Sequence, residues 1–504
     1  MPETGVVEYL TAMASILIIV LIGLTNYIAW KRSKRELRDY YVAGGVMRAL
    51  VLFAAAFATA YSAFTFLGGP GYIYRKGIAG IIILSGIACI TFILMTVVGS
   101  KIWLLSHKYN LVTPADLLAL RFPNKLVRLL AALICVIFPI FYTSVQLIGA
   151  GYIVSELTNN LLPYEAGIIL FGLALAVFIA FGGQRGVIWQ DVILAIIFIF
   201  GLITTAVYGL TLTGPDIFAK AYQLRPDLFT IRGDPQTVIS VATITIGTAL
   251  SLITWPHLWM FYYTARDKRG VYGIGAGEQF GEVFILGLLC IIIALEGVIL
   301  FPGLTGAETD KIPLFLCKKL AFLAPIVAIG VLAAALSTAD SIIITTSAII
   351  TKDIYKGIIN PKASEQKATL FGRVLTGVVG IVSMIVALHP PSTIVDIVIN
   401  LSWPGLLMLL PPLIGAVYWR RATTAGAVAS LITGLITVII TTYIWIEPFG
   451  IYSGFWGLIV SVPTLIIISY LTKPPASEIV TKVHDFITKI KLHEISTAED
   501  IKKA

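Results

Sequence analysis

Charge is what this chain lacks most. Of its 504 residues only 12% are Asp, Glu, Lys or Arg, while 58% are hydrophobic, and the mean hydropathy is +0.93. Soluble globular domains carry roughly 25% charged residues, so a soluble fold is excluded. Cysteine is sparse as well. Cys89, Cys135, Cys290 and Cys317 sit in or beside apolar stretches, at spacings that build neither a disulfide framework nor a metal site. The chain has no Gly-rich phosphate loop ending in Lys-Ser/Thr and no HExxH, the signatures of nucleotide-driven pumps and zinc proteases. The first apolar run, 9–30, follows Glu3 and Glu8 rather than a basic start, and it is longer than a signal-peptide core. It is expected to remain as a helix.

What the chain has is apolar length. Thirteen segments reach spanning length, near 9–30, 47–72, 78–105, 124–155, 163–181, 187–212, 237–265, 278–300, 322–354, 366–388, 393–419, 423–446 and 450–471. A crossing takes about 20 such residues. The chain reads as an all-α polytopic membrane protein of the plasma membrane, working as a monomer in the lipid bilayer. The net charge of +9 orients loops and is no sign of a nucleic-acid partner. KRSKRELR (31–38) is expected on the cytoplasmic side, which puts the N-terminus outside and, after odd crossings, the C-terminus inside. ARDKRG (265–270) and Arg420–Arg421 agree; Arg75–Lys76 and Lys318–Lys319 run mildly against it. PDIFAKAYQLRPDLF, in the outer connection 213–236, predicts a short interfacial helix. In the tail, Ile479, Val483, Phe486, Ile487 and Ile490 form an apolar stripe, which predicts a helix lying on the cytoplasmic face.

The few polar residues are clustered. Residues 333–353, AAALSTADSIIITTSAIITKD, carry Ser337, Thr338, Asp340, Ser341, Thr345, Thr346 and Ser347 deep in an apolar segment. Ser337, Asp340 and Ser341 share one helix face. Hydroxyls alone can bond back to their own helix. A carboxylate at the bilayer centre costs roughly 2.5–3.5 kcal/mol, so Asp340 tips the reading towards an ion or proton site. Hard oxygens suit an alkali cation rather than a soft metal. Two further segments are interrupted. Segment 47–72 collects Thr59, Ser62 and Thr65 and is expected to end at Gly68–Gly69–Pro70–Gly71; segment 237–265 has Gly247 and Pro256 as breakers. Counted from 47–72 they are spans one and six of ten, where inverted-repeat transporters build a midplane site. His257, Glu278 and Glu282 read as structural, the two acids favoured by the positive end of their helix. Glu296 reads as solvated, and Trp403–Pro404 as a candidate outer gate.

Five stretches carry a resemblance: SAFTFLGGPGYIY (62–74), FIAFGGQRGVIWQD (178–191), TWPHLWMFYYTARD (254–267), LSTADSIIITTSAIITKDIY (336–355) and PPLIGAVYWRRATTAGAVAS (411–430). Over roughly 40–475 the chain resembles the sodium/solute symporter family, whose members include proline, pantothenate, monocarboxylate, sialic acid and glucose carriers. The resemblance implies a leucine-transporter-type fold, two inverted five-helix repeats with one helix before and two after. It divides the chain into an extra helix and loop (1–46), a first repeat (47–212), an outer connection (213–236), a second repeat (237–421), two peripheral helices (422–471) and a cytoplasmic tail (472–504).

The family's main sodium site matches the carbonyls of Ala58, Tyr61 and Ala334 and the hydroxyls of Ser337 and Thr338. Its second cation site matches Asp191, Ser337, Asp340 and Ser341, with the acid Asp340 where members have a hydroxyl; sodium or a proton fits there. The solute positions match Ser62, Phe64, Thr65, Gln146, Thr248, Leu252 and Trp255. Thr248 and Leu252 replace the Trp and Tyr of proline permease, and Ala60 replaces its acid, which disfavours proline. No arginine in 136–155 answers the carboxylate-binding one of sialic acid transporters. The resemblance therefore implies sodium-coupled symport of a small solute such as a monocarboxylate, with Na+ as coupling ion, no cofactor and no catalysis. Proton coupling through Asp340 and Asp191 is the alternative, and a membrane solute sensor a more distant one.

Overall fold

A computed structural model describes residues 4–32, 36–231, 233–319, 324–489 and 497–503. Among the described residues the chain is helical, with only two isolated β-bridges. Long apolar runs leave no water for backbone amides, and helix is the form that satisfies those amides within one segment. In chain order the elements that matter are α1 (Thr4–Arg32), α2 (Leu37–Val42), α3 (Ala49–Ala60), α4 (Phe64–Lys76), α5 (Ile78–Cys89), α6 (Thr91–Lys108), α7 (Pro114–Arg121), α8 (Lys125–Leu157) and α9 (Tyr164–Thr213). The second part has α10 (Ile217–Leu224), α11 (Pro235–Thr254), α12 (Pro256–Thr264), α13 (Lys268–Leu300), α14 (Ile312–Lys319), α15 (Ala324–Ile359), α16 (Glu365–Leu388), α17 (Ile394–Tyr418), α18 (Thr424–Ile444) and α19 (Ser453–Leu471).

Ten of these helices are long and apolar enough to cross a membrane, or up to twelve when the bent pairs α3–α4 and α5–α6 each count as one crossing. α9 holds the two predicted segments 163–181 and 187–212 in one run of 50 residues. At about 1.5 Å per residue that is roughly 75 Å, far more than one crossing needs. It is interrupted at Gly183, whose φ of +60° and ψ of −167° suit glycine alone. A Cβ there would also lie within 2.6–2.9 Å of Tyr40 on α2.

α15 is the centre of the molecule. In its most apolar stretch 89% of residues are buried, against 28% in α1, and it packs against α9, α8 and α1. Next to it α3 and α4 meet at 53°. The Gly68–Gly71 run does not end a helix, as the sequence predicts. It is helical, and the break falls earlier, at Tyr61 (φ −102°, ψ 105°). The glycines serve contact instead: a Cβ at Gly71 would sit 2.7 Å from the Thr309 carbonyl. The second interruption also precedes its predicted breaker. The chain is extended at Trp255 (φ −69°, ψ 120°), and Pro256 starts α12.

The interfacial helix predicted in the 213–236 connection is α10. In the tail, helix runs through Ser477–Lys489, and Val483 and Ile487 are buried; Ile490 of the predicted stripe lies outside the described residues. This helix lies on protein: Tyr109 donates to the Lys482 carbonyl at 2.7 Å, and Arg420 pairs with Asp485 at 2.6 Å.

Candidate functional site

The hydroxyls of α15 face the end of α3. Ser337 Oγ donates to the Ala58 carbonyl at 2.7 Å and lies 3.1 Å from the Ala334 carbonyl. Thr338 Oγ1 donates to the Thr59 carbonyl at 2.6 Å and reaches Ala334 O at 3.4 Å. Ala58 and Thr59 belong to the last turn of α3, where carbonyls have lost their helical donors because the chain turns extended at Tyr61. Two hydroxyls and three carbonyls thus converge, all hard neutral oxygens of the kind that replace the hydration shell of an alkali ion. The Tyr61 hydroxyl turns the other way and donates to the Glu278 carbonyl at 2.5 Å.

One turn further along α15 the site becomes acidic. Thr59 Oγ1 donates to Asp191 Oδ2 at 3.1 Å and lies 3.2 Å from Ser341 Oγ, which itself reaches Asp191 Oδ2 at 3.5 Å. Gln190 Nε2 donates to Asp340 Oδ2 at 2.5 Å. Both carboxylates are 0% exposed, and the second oxygen of each, Oδ1, has no hydrogen-bond partner. Two buried carboxyl groups with free lone pairs, and no cationic side chain paired to them among the described residues, form a donor set for a cation or a proton.

Beyond the break, the residues predicted to touch solute are all buried. Ser62 Oγ lies 3.2 Å from the Tyr142 hydroxyl, and the Ala63 amide donates to Gln146 Oε1 at 3.0 Å. Gln146 Nε2 in turn donates back to the Tyr142 carbonyl of its own helix at 3.1 Å, which fixes the amide whose oxygen holds the break. Thr65 Oγ1 takes the Ser62 amide at 3.4 Å, and Thr248 Oγ1 bonds back to Ile244 O at 2.8 Å. Around them the packing is aromatic. Ring centroids lie 5.3 Å apart for Tyr142–Trp255, 5.7 Å for Trp255–Trp403 and 5.4 Å for Phe64–Trp403. Leu252 adds an apolar wall. The indole N–H groups of Trp255 and Trp403 are buried without an acceptor.

The model of the Sodium:solute symporter family matches residues 40–434. The chain belongs to this family. It is 26% identical to the sodium/pantothenate symporter of Escherichia coli (strain K12), across 88% of this chain and 92% of that protein. It is 25% identical to the sodium/proline symporter of Staphylococcus aureus (strain USA300), across 95% and 96%. Among solved structures it is similar to a Na+-coupled sialic acid symporter in a substrate-bound outward-open state. The TM-score is 0.76 at 19% identity, covering 92% of this chain and 98% of that one. A nucleobase-cation-symport-1 family transporter in a closed conformation follows at TM-score 0.56 and 14% identity, covering 88% and 97%. The leucine-transporter-type fold read from the motifs holds, and a family member of this kind couples a small organic solute to sodium, without enzymatic chemistry.

Within this symporter the structure corrects two readings of the sequence. Glu278 and Glu282 are not at a helix start: α13 begins at Lys268, and both acids are buried well inside it, each with one oxygen unpartnered. Glu296 is not solvated; it is 0% exposed, neither oxygen has a partner, and its carboxyl packs where Gly209 leaves room. The structure also adds Thr59, Gln190 and Asn26 of α1 to the residues around the acids. Asn26 had a visible signal, an amide within an apolar run, but nothing in the sequence names its partner.

Proposed function

We propose that this symporter imports a small monocarboxylate or a similar small solute. Sodium is held by the carbonyls of Ala58, Tyr61 and Ala334 and the hydroxyls of Ser337 and Thr338. The carrying observation is the pair of buried indole N–H donors, Trp255 and Trp403, without acceptors among the described residues, on rings whose centroids lie 5.7 Å apart. Two such donors on neighbouring rings suit the two oxygens of a carboxylate, and the polar groups of Ser62, Thr65, Thr248 and Gln146 are already bonded within the protein, which leaves little for a sugar. Ser62, Phe64, Thr65, Thr248 and Leu252 complete the wall, with Gln146 holding its floor. Sodium bridging α3 and α15 favours the closed chamber, and its loss on the low-sodium side releases the solute.

Asp191, Ser337, Asp340 and Ser341 form the second cation site in this reading, where sodium and a proton compete. The two unpartnered carboxylate oxygens favour such a site over a purely structural pair. Division of α9 at Gly183 into two crossings gives thirteen spans. An outside N-terminus, a cytoplasmic tail, residence in the plasma membrane and a monomeric unit complete the proposal, with the domain limits stated above. The test is sodium-driven uptake into proteoliposomes, screening pantothenate, proline and short monocarboxylates. Sodium-dependent accumulation of a monocarboxylate but not of proline is the expected result. Accumulation of proline alone, or accumulation driven by a proton gradient without sodium, overturns it.

A further inference from the structure

Asn26 stands on α1, the helix that precedes the repeats, yet it is 1% exposed. It enters a notch on α9. A Cβ at Gly182 would lie 1.9 Å from Asn26 Oδ1, and one at Gly186 would lie 2.3 Å from it. These are two glycines of the FGGQRGVIWQD stretch, and they leave room for no side chain but this one. Seated there, Asn26 Nδ2 donates to the Ile22 carbonyl at 2.9 Å and to Gln190 Oε1 at 2.8 Å. With its oxygen occupied, the Gln190 amide presents its NH2 to Asp340 Oδ2, at 2.5 Å.

The direction of that amide matters chemically. An NH2 facing Asp340 stabilises the carboxylate, the form that binds sodium. An inverted amide would set its carbonyl against the same oxygen, and only a protonated carboxyl can donate to a carbonyl. The charged group facing Asp340 among the described residues is Asp191 on α9; α3 offers Thr59 and α15 offers Ser341, both neutral. No positive side chain there substitutes for the amide.

We propose that Asn26 is a positioning residue for Asp340: it fixes the Gln190 amide, and through it α1 holds the Asp340 carboxyl in the place where the second cation site needs it. The inference rests on the second cation site proposed above. The glycine notch, the amide and the carboxyl then form one relay from the periphery to the ion site.

The experiment is radioactive sodium binding to the purified full-length protein at one fixed pH. It compares wild type, Asn26→Ala, Gln190→Met, their double variant and Asp340→Asn, with thermal unfolding in parallel. Asn26→Ala is expected to raise the half-saturating sodium concentration at least fivefold. Gln190→Met, which keeps length without the amide, should do the same, and the double variant should be no worse than the single ones. An unchanged sodium affinity in Asn26→Ala, or effects that add in full, overturns the relay. If Asn26→Ala does not fold, Gln190→Met decides alone: an unchanged affinity there also overturns it. Should Asp340→Asn leave sodium binding unchanged, the second-site reading fails instead. If Asp340→Asn weakens sodium binding while Asn26→Ala does nothing, only the relay fails.

Discussion

Single oxygen atoms decide most of what this symporter can bind. Ser337 and Thr338 spend their hydroxyls on two carbonyls of α3, a contact that ties two helices without any ion. Each such bond contributes about 1 kcal/mol net. Replacing both residues by Ala should therefore lower thermal stability modestly and raise the half-saturating sodium concentration at least tenfold, about 1.4 kcal/mol of binding. Sodium titration of uptake, or of thermal shift, reads this directly; unchanged sodium dependence removes both residues from the site. The indoles give a second case. Trp255→Phe and Trp403→Phe keep a ring and delete only the N–H. A hydrogen bond to a charged group contributes about 1.5–3 kcal/mol, so each should weaken solute half-saturation about tenfold or more. Sodium affinity at saturating solute should stay as it was, and an equal loss of both would mean the rings merely pack. The hydroxyl column was legible in the sequence because polar groups in an apolar run need a reason. Gln146 was legible as a polar residue facing the solute, but its bond to the Ala63 amide was not, since that contact depends on a backbone break that no residue type announces.

At the level of elements, the sequence shows that a helix is interrupted more readily than where. Gly-Gly-Pro-Gly looked like the end of a span, and the chain breaks seven residues earlier, at Tyr61. The reason is tertiary: the Ala63 amide freed by the break finds Gln146, and the carbonyls before it find Ser337 and Thr338. Glycine in this fold more often buys contact than flexibility. Gly182→Ala puts a methyl group 1.9 Å from Asn26 Oδ1, with α1 unable to move aside without losing the Gln190 contact. Overpacking of this kind costs roughly 1–3 kcal/mol, so a lower unfolding temperature is expected. Gly377→Ala on α16 is the control, because nothing lies within 4 Å of a Cβ there. Similar unfolding temperatures for the two variants would show that α1 yields easily.

On the scale of the whole molecule, ion pairs fasten the helices at both ends of the solute path. Arg128 joins α8 to Asp116 on α7 at 2.9 Å and to Asp353 on α15 at 2.6 Å, while Lys352 meets Asp116 at 2.7 Å. Burial alone would push the Asp116 carboxyl up, but Lys352 and Arg128 beside it hold it below the usual carboxylate range. The Asp116 arm of this fastening therefore stays ionised as acid is added. The opposite end differs. Arg75 at the end of α4 pairs with Asp310 at 3.3 Å and reaches Thr393, and Asp310 Oδ2 accepts the Ile394 amide at 2.9 Å. Asp310 stands in the turn Gly306–Lys311, between membrane segments, and burial raises its pKa to about 6 despite Arg75. If this end opens to water the carboxyl returns towards its ordinary 3.8, so the closed arrangement binds the proton more tightly. Acid therefore favours closure as pH falls through about 6, and above that the carboxyl is ionised in both arrangements and pH has no effect. The measurement is the rate at which a membrane-impermeant thiol reagent labels Thr65→Cys from this side, divided at each pH by its rate in the denatured protein. This ratio should drop several-fold between about pH 7 and about pH 5, and Asp310→Asn should label slowly and without pH dependence. A rate that rises in acid would mean that the Arg75–Asp310 pair, not Asp310 burial, controls this end, because protonation would then be releasing the arginine rather than sealing the turn.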